Sequence, residues 1–332
     1  MNPAATHPPR EEQPKRLHPV IRWSSMLNSL YYRETVWLLG DGRSGTTWLG
    51  EIMRSMRSMR EMFEPIHSDF SPEIAPYGKF PYLPREMMAG PLAGELRRIF
   101  AGRSMQRRVQ WRNHRPWYRD LLIKDIFGHL LVPWVDQALP HVKRVLIMRH
   151  PFAVACSKRR LAHWNWMTDS GEFLQRDELS EDFAGAWRER FLNARSFFEQ
   201  QIVIWCFVHS VALTGPWGAR TAVVFFEDLR DNGEATCRGL WADLGWRLPG
   251  SFDETHWNSR LERPSLTTVG DLAKAQPRSC RPSWPSDLKN EERKAGIEIL
   301  DSCGWSGVYG DDPSPLAGAR AAVRALGPTP GS

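Results

Sequence analysis

One stretch near the amino end of the chain constrains the fold more than any other: VWLLGDGRSGTTWL, residues 36–49. A short apolar run ends in a glycine-rich turn, and a helical pattern begins near Thr46. This strand–loop–helix arrangement directs backbone N–H groups and a helix dipole at an anion. Gly40, Gly42 and Gly45 let a phosphate approach the backbone closely, because they carry no side chain that would collide with it. The stretch therefore predicts a phosphate-binding loop.

The cation of this loop lies in an unusual place. Gly40 and Gly45 have the spacing of a Walker A loop, but Thr46 stands where that loop has its lysine. Arg43 lies inside the turn instead, and its guanidinium is a strong donor to phosphate oxygens. The pattern leaves open which phosphate the loop holds.

A second anion site is predicted at the end of another apolar strand, residues 143–148. Arg149 and Ser157 lie eight residues apart on either side of the next strand-to-helix turn, so both can reach one anion. Ligands of open parallel sheets bind at the carboxyl ends of the strands, where Lys124 and Asp125 are also expected. Two phosphate-sized sites without a Walker lysine suit a nucleotide with phosphates at both ends of its ribose.

Strands and helices alternate along the chain, which is typical of a parallel sheet. We expect one α/β domain over 17–310, with a central, mostly parallel sheet flanked by helices. A segment rich in proline and charge predicts a disordered tail over 1–16, and small residues predict a flexible tail over 311–332. Strands are predicted at 35–39, 120–124, 143–148 and 221–226, and helices at 46–59, 91–108, 130–139, 152–161, 181–213 (with at most one break), 236–244 and 288–303.

Composition argues against several classes of protein. The net charge of +6 over 332 residues suits an anionic ligand or a solvated basic surface, and we expect no nucleic-acid partner. The five cysteines are scattered without metal-ligand spacing, which predicts a metal-free protein in a reducing compartment. The longest apolar run, 202–213, is too short to span a bilayer, and the amino end lacks the apolar core of a signal peptide. We therefore expect a cytoplasmic protein without a membrane partner.

Two motifs together resemble a known family. GDGRSGTTWL resembles the 5′-phosphosulfate loop of sulfotransferases that use 3′-phosphoadenosine 5′-phosphosulfate (PAPS), and VLIMRHPFAVACSK resembles their 3′-phosphate motif. The motifs occur in the family's order, and FFEDL at 225–229 and GWSGVYG at 304–310 are also similar to it. The resemblance, with arginine at position 43 as in the bacterial and carbohydrate-type branch, implies a P-loop NTPase-like sulfotransferase fold.

The resemblance also implies roles for single residues. Arg149 and Ser157 would hold the 3′-phosphate that distinguishes PAPS from ATP. Arg43 would stabilise the phosphate that leaves when PAPS is converted to the product PAP, the 3′,5′-bisphosphate. Lys124 would be a second cation with the same role. The residues that would hold the 5′-phosphosulfate are Arg43, Ser44, Gly45, Thr46, Thr47 and Trp48.

Transfer to a hydroxyl group also needs a base. The cytosolic branch of the family uses a histidine two residues after a strand-end lysine, and here Ile126 occupies that position. The sequence Phe63-Glu64-Pro65 resembles the carbohydrate-type branch, so Glu64 is the expected general base. Asp125 and His67 remain open as alternatives.

The expected function is therefore transfer of a sulfuryl group from PAPS to a hydroxyl of a small-molecule or carbohydrate acceptor, without a metal. A P-loop kinase of a nucleoside or small molecule and a non-catalytic nucleotide-binding protein remain alternatives. The sequence identifies neither the acceptor nor the oligomeric state. We expect acceptor specificity in two loops, 67–91 and 164–178. A basic, proline-containing coil is predicted at 260–285, and the resemblance implies that its residues 260–281 close over the 3′-phosphate and adenine.

Overall fold

The computed structural model describes residues 31–69, 71–103, 107–161, 166–247 and 284–326. The predicted tail at 1–16 and nearly all of the predicted coil at 260–285 lie outside the described residues. No helix within the described ranges is long and apolar enough to cross a membrane.

A single five-stranded sheet forms the centre of the molecule, and every pairing in it is parallel. This confirms the predicted α/β class. In spatial order the strands run β2-β3-β1-β4-β5. Their bounds are β1 Thr35–Leu39, β2 Met59–Phe63, β3 Asp120–Asp125, β4 Lys143–Met148 and β5 Thr221–Phe225.

The register brings the chemically interesting strand ends together. Leu39, the last residue of β1, is paired with Asp125 on one side and with Leu146 on the other. Strands β3 and β4 therefore end on either side of the glycine loop that follows β1. Because both faces of the sheet are covered, β1 and most of β4 are continuous buried apolar runs.

Strand β2 is not among the strands predicted from the sequence. The sequence indicates only a brief segment without a defined type here, because Arg60 and Glu61 interrupt the apolar residues of Met59–Phe63. Both charged side chains are fully buried. Glu61 accepts hydrogen bonds from Arg54 at 2.9 Å and Arg112 at 3.1 Å, so its charge is neutralised inside the protein.

The helices cover both faces of the sheet. Those before β4 are α1 Thr46–Met56, α2 Pro91–Phe100, α3 Arg107–Gln110 and α4 Val132–Ala138. Those between β4 and β5 are α5 Pro151–Arg160, α6 Asp177–Asp182, α7 Arg188–Asn193 and α8 Phe197–Leu213. Those after β5 are α9 Phe226–Asp231, α10 Gly233–Asp243, α11 Trp284–Asp287, α12 Asn290–Ser302 and α13 Ala319–Ala325.

Several regions differ from the predicted elements. The helix expected at 46–59 ends at Met56, and Met59 already begins β2. The helix expected at 91–108 ends at Phe100, and Gly102 follows it with φ 72° in the left-handed region.

The helix expected at 181–213 with at most one break is divided into α6, a 3₁₀ turn at Ala184–Trp187, α7 and α8. Helix α8 has its own start signal, because Ser196 and Glu199 form a capping box. In the region expected to be a flexible tail after residue 310, α13 packs against the core and buries Ala319 and Val323.

Candidate functional site

The glycine loop between β1 and α1 is shaped as much by its protein neighbours as by any ligand. A Cβ atom on Gly42 would lie 2.7 Å from the ring of Trp166, and one on Gly45 would lie 2.6 Å from the ring of Phe226. Gly45 also has φ 95°, in the left-handed region that favours glycine. The sequence assigns these glycines to phosphate approach, whereas the structure shows that packing of the two rings requires them as well.

The loop also contains a buried polar group without a partner. Ser44 is fully buried, and its hydroxyl has no hydrogen-bond partner among the described residues. Its backbone N–H donates to the carbonyl oxygen of Asp41 at 2.9 Å, which closes the turn. A buried hydroxyl beside a helix N-terminus, where N–H dipoles favour negative charge, fits an anion.

The two predicted anion motifs meet at this loop. Arg43 Nε donates to Ser157 Oγ at 3.0 Å, across 114 residues of sequence. Arg149 Nη1 donates to the backbone carbonyl oxygen of Arg43, also at 3.0 Å. The structure thus brings three of the predicted site residues into direct contact, at the carboxyl ends of adjacent strands β1 and β4.

The two guanidinium groups are close enough to affect each other. Burial, and then the positive charge of Arg149, lower the pKa of Arg43 to about 10, which still leaves it protonated at neutral pH. Burial also lowers the pKa of Arg149, while Glu227 opposes that shift. The Arg149 guanidinium lies 4.4 Å from the centre of the Phe226 ring. Concentrated positive charge of this kind is what a phosphate would neutralise.

A buried ion pair below the loop is a feature that sequence reasoning missed. Lys158 Nζ lies 2.7 and 2.8 Å from the two carboxylate oxygens of Asp41 and 3.0 Å from Oε1 of Gln201. Lys158 is almost fully buried. Its contacts join α5 and α8 to the loop.

On the other side of β1, the predicted base and the second predicted cation contact each other. Lys124 Nζ forms a short salt bridge with Glu64 Oε1. Burial alone would raise the pKa of Glu64, but the charge and hydrogen bond of Lys124 hold it below its ordinary value. Glu64 has φ 51°, and its N–H donates to the Lys124 carbonyl oxygen at 2.7 Å. The carboxylate is therefore ionised at neutral pH, and its backbone is fastened to β3.

The two alternative bases have other roles in this geometry. Asp125 is fully buried, and its carboxylate accepts the backbone N–H groups of Ile66 and Phe127, both at 2.9 Å. Burial raises its pKa to about 7. His67 Nδ1 accepts the N–H of Asp69 at 3.2 Å, which in the neutral ring assigns the proton to Nε2. Burial lowers the pKa of His67 to about 4, so its ring is neutral near pH 7.

The backbone turn after Arg149 is held by a buried carboxylate. Glu227 Oε1 accepts the backbone N–H of His150 at 2.9 Å, and its Oε2 accepts the hydroxyl of Tyr309 at 3.1 Å. His150 Nε2 lies 3.0 Å from the carbonyl oxygen of Gly310. Its ring stacks on Trp284 with centroids 4.6 Å apart. The motifs FFEDL and GWSGVYG thus contact the predicted 3′-phosphate motif.

The two loops in which we expect acceptor specificity contact each other. Arg176 donates to the carbonyl oxygens of Phe80 at 2.6 Å and Lys79 at 3.0 Å, and Tyr82 forms a hydrogen bond with Asp182. These bonds fasten the 67–91 loop to Arg176, just before α6, and to Asp182, the last residue of α6. Within the described ranges no group of three or more His, Cys, Asp or Glu is placed to hold a metal ion.

No protein-family model matches the chain, and no curated protein sequence matches it significantly.

Several solved structures are similar to the chain. They include a sulfotransferase from Alicyclobacillus acidocaldarius (16% identity, TM-score 0.42, covering 82% of this chain and 93% of that one). The sulfotransferase domain of the Synechococcus PCC 7002 olefin synthase has 17% identity and a TM-score of 0.43, over 82% of this chain and 94% of that one. Mouse sulfotransferase SULT7A1 complexed with PAP has 12% identity and a TM-score of 0.42, over 84% and 87%. All three are sulfotransferases, the family that the two phosphate motifs resemble.

Proposed function

We propose that the protein transfers a sulfuryl group from PAPS to a hydroxyl of a small-molecule or carbohydrate acceptor and releases PAP. One observation carries the proposal: Arg43 of the glycine loop contacts both Arg149 and Ser157 of the second, distant motif at the end of the central strands. A nucleotide with an anionic group at each end of its ribose needs two anion sites that lie side by side. ATP and AMP lack the 3′-phosphate that would occupy the second of them.

The residues of the β4 side suit the 3′-phosphate. No carboxylate of the described residues lies within ion-pair distance of Arg149, and the nearby Glu227 is hydrogen-bonded to His150 and Tyr309. A 3′-phosphate would therefore meet a partly buried guanidinium whose charge is not already cancelled by a salt bridge. Ser157 would add a hydroxyl donor from the first turns of α5.

The glycine loop suits the 5′-phosphosulfate. The loop and the start of α1 supply backbone N–H groups, the buried Ser44 hydroxyl and the hydroxyls of Thr46 and Thr47. Gly45 ends the turn, and Trp48 lies in the first turn of α1. Arg43 remains protonated, so it would act through charge on the bridging oxygen of the leaving phosphate and would not donate a proton. These residues have the donors that an anion at this position requires.

On the acceptor side, we assign the base to Glu64 and a supporting cation to Lys124. Sulfuryl transfer resembles phosphoryl transfer in depending on positioning and electrostatics, with an acceptor oxygen attacking in line. PAPS supplies the activated sulfuryl group and a phosphate leaving group. Glu64 would take the proton of the attacking hydroxyl, and Lys124 beside it would stabilise charge on the leaving phosphate. The buried Asp125, bonded to two backbone N–H groups, is better suited to holding the turn that follows β3.

Calorimetry with three nucleotides tests the proposal directly. PAP, AMP and ATP should be titrated into the protein with and without magnesium. We expect PAP to bind far more tightly than AMP, with no need for magnesium. Equal affinity for PAP and AMP would contradict the proposal, and tight magnesium-dependent binding of ATP would support the kinase alternative. A screen of hydroxyl compounds with PAPS, read by the mass of one added sulfuryl group, would then identify the acceptor.

A further inference from the structure

The carboxylate of Glu227 is a buried acidic group close to the nucleotide side of the site. It follows β5 directly, in the first turn of α9, and only 3% of its surface is exposed. Both of its oxygens are engaged, one by the backbone N–H of His150 and the other by the hydroxyl of Tyr309. A buried carboxylate is stable only when its oxygens are satisfied in this way, so the arrangement has a definite geometry.

Each partner of Glu227 belongs to a different part of the chain. His150 is the residue directly after Arg149, at the end of β4. Tyr309 lies in the carboxy-terminal segment after α12, where it is fully buried against Phe225 and Trp205. Glu227 therefore joins the end of β4 to the carboxy-terminal segment. The same segment holds the ring of His150 through the carbonyl oxygen of Gly310.

Arg149 lies beside this junction. Its guanidinium packs on the ring of Phe226, the residue before Glu227. The Glu227 charge is near enough to oppose the burial effect on the pKa of Arg149, yet no salt bridge forms between the two groups in the described structure. Glu227 thus fixes the backbone beside Arg149 and leaves its guanidinium available for another anion.

We propose that Glu227 and Tyr309 are positioning residues for Arg149, and through it for the 3′-phosphate of the nucleotide. The inference rests on the proposed function. In this arrangement the carboxy-terminal segment determines where the Arg149 side chain points, although none of its described residues need touch the ligand. Loss of the Tyr309 hydroxyl would release one oxygen of Glu227 and loosen the N–H bond to His150. The effect would be specific to nucleotides that carry a 3′-phosphate.

The test compares PAP and AMP binding by calorimetry in wild type, Tyr309→Phe, Glu227→Gln and Glu227→Ala. Tyr309→Phe keeps the packed ring and removes only the hydroxyl. We expect it to weaken PAP binding about fivefold, the order of one lost hydrogen bond, and to leave AMP binding nearly unchanged. Glu227→Gln keeps an acceptor for the His150 N–H, so we expect a smaller loss of PAP affinity than in Glu227→Ala.

Tyr118→Phe is the matched control. Tyr118 is also buried, and its hydroxyl accepts the N–H groups of His114 and Arg115, both at 2.9 Å, before the start of β3. We expect this variant to lose thermal stability while its PAP-to-AMP affinity ratio stays at the wild-type value. If folded Tyr309→Phe and Glu227→Ala keep the wild-type ratio, the positioning role is wrong and the proposed function stands. If wild type itself binds PAP and AMP with equal affinity, both the proposed function and the proposed positioning role are wrong.

Discussion

The two strands beside β1 end in different electrostatic situations. On the β4 side, Arg149 has a backbone carbonyl and an aromatic ring as neighbours and forms no salt bridge in the described structure. On the β3 side, Lys124 already forms a salt bridge with Glu64, and both side chains are buried. One side presents positive charge to a ligand, and the other contains a cation and a carboxylate that neutralise each other.

This difference separates binding from chemistry. A partly buried arginine that has no salt bridge to a described residue is stabilised strongly when an anion binds to it. The β4 side therefore suits recognition of the proposed nucleotide. A carboxylate that a lysine keeps ionised is not stabilised by an anion, but it can accept a proton from a hydroxyl group. Changes on the β4 side should therefore alter affinity, and changes on the β3 side should alter turnover.

The largest expected effect lies on the β3 side. Glu64→Gln removes the proton acceptor, so turnover with PAPS and an acceptor found in the screen should fall by about 100- to 10,000-fold. PAP binding, measured by calorimetry, should be nearly unchanged. Glu34→Gln is the matched control, because Glu34 pairs with Lys143 at 2.8 Å just before β1, at the amino ends of the strands and away from the site. Normal turnover in Glu64→Gln would mean that another group is the base.

Next in size is the expected effect of Arg149→Ala on the β4 side. Loss of the guanidinium should weaken PAP binding by roughly 100-fold, since removing one partner of a buried charge pair costs about 2–5 kcal/mol. AMP binding should change little. Arg238→Ala serves as control, because Arg238 is an exposed arginine that pairs with Glu234 within α10. Equal loss of PAP and AMP affinity in Arg149→Ala would show that the residue does not distinguish the 3′-phosphate.

A smaller effect is expected for Ser157→Ala. The variant removes the hydroxyl that accepts from Arg43, and one hydrogen bond contributes about 1 kcal/mol, so PAP affinity should fall about fivefold. Ser55→Ala is the comparable change outside the site, since the Ser55 hydroxyl donates only to Ile52 of its own helix. Wild-type PAP affinity in Ser157→Ala would leave recognition of the 3′-phosphate to Arg149.

The last expected effect concerns folding stability: a pH dependence on the β3 side. Burial raises the pKa of Asp125 in the folded protein to about 7, so its contribution to stability is complete at low pH and is lost as the pH rises through that value. Asp125→Asn cannot ionise. The melting temperature of wild type relative to this variant should therefore fall as the pH rises from about 5 to about 8. A difference that is constant with pH would show that Asp125 does not titrate there.

Local patterns predicted much of this fold. The bounds of β1 and β4 agree with the prediction, because buried parallel strands read as apolar runs. Strand β2 was not predicted, because the burial of Arg60 and Glu61 depends on hydrogen bonds from Arg60 to Gln110 and from Arg112 to Glu61, which join residues distant in sequence. The same limit applies to the site. One motif identified Arg43 and another identified Arg149 with Ser157, but the contacts of Arg43 with both of these residues depend on strand order, which no local pattern contains.

The salt bridge of Glu64 with Lys124 could not be predicted from the sequence for the same reason. Both residues were predicted for the site, in separate roles. Their contact requires β2 to pair with β3, and β2 was not predicted as a strand. The buried pair of Asp41 and Lys158 likewise joins residues 117 positions apart. Long-range charge pairing is therefore the part of this site that the sequence did not reveal.

The backbone of Arg43 has a consequence for how the loop would bind the proposed anion. Its φ of 76° is in the left-handed region, which costs a residue other than glycine on the order of 1–3 kcal/mol. With this backbone, the side chain contacts Ser157 while the carbonyl oxygen accepts from Arg149. The strained turn is thus held by contacts within the protein itself, so an anion would need to reorganise it little. The free energy of folding would bear part of the cost of ordering the loop, and anion binding would not have to supply it.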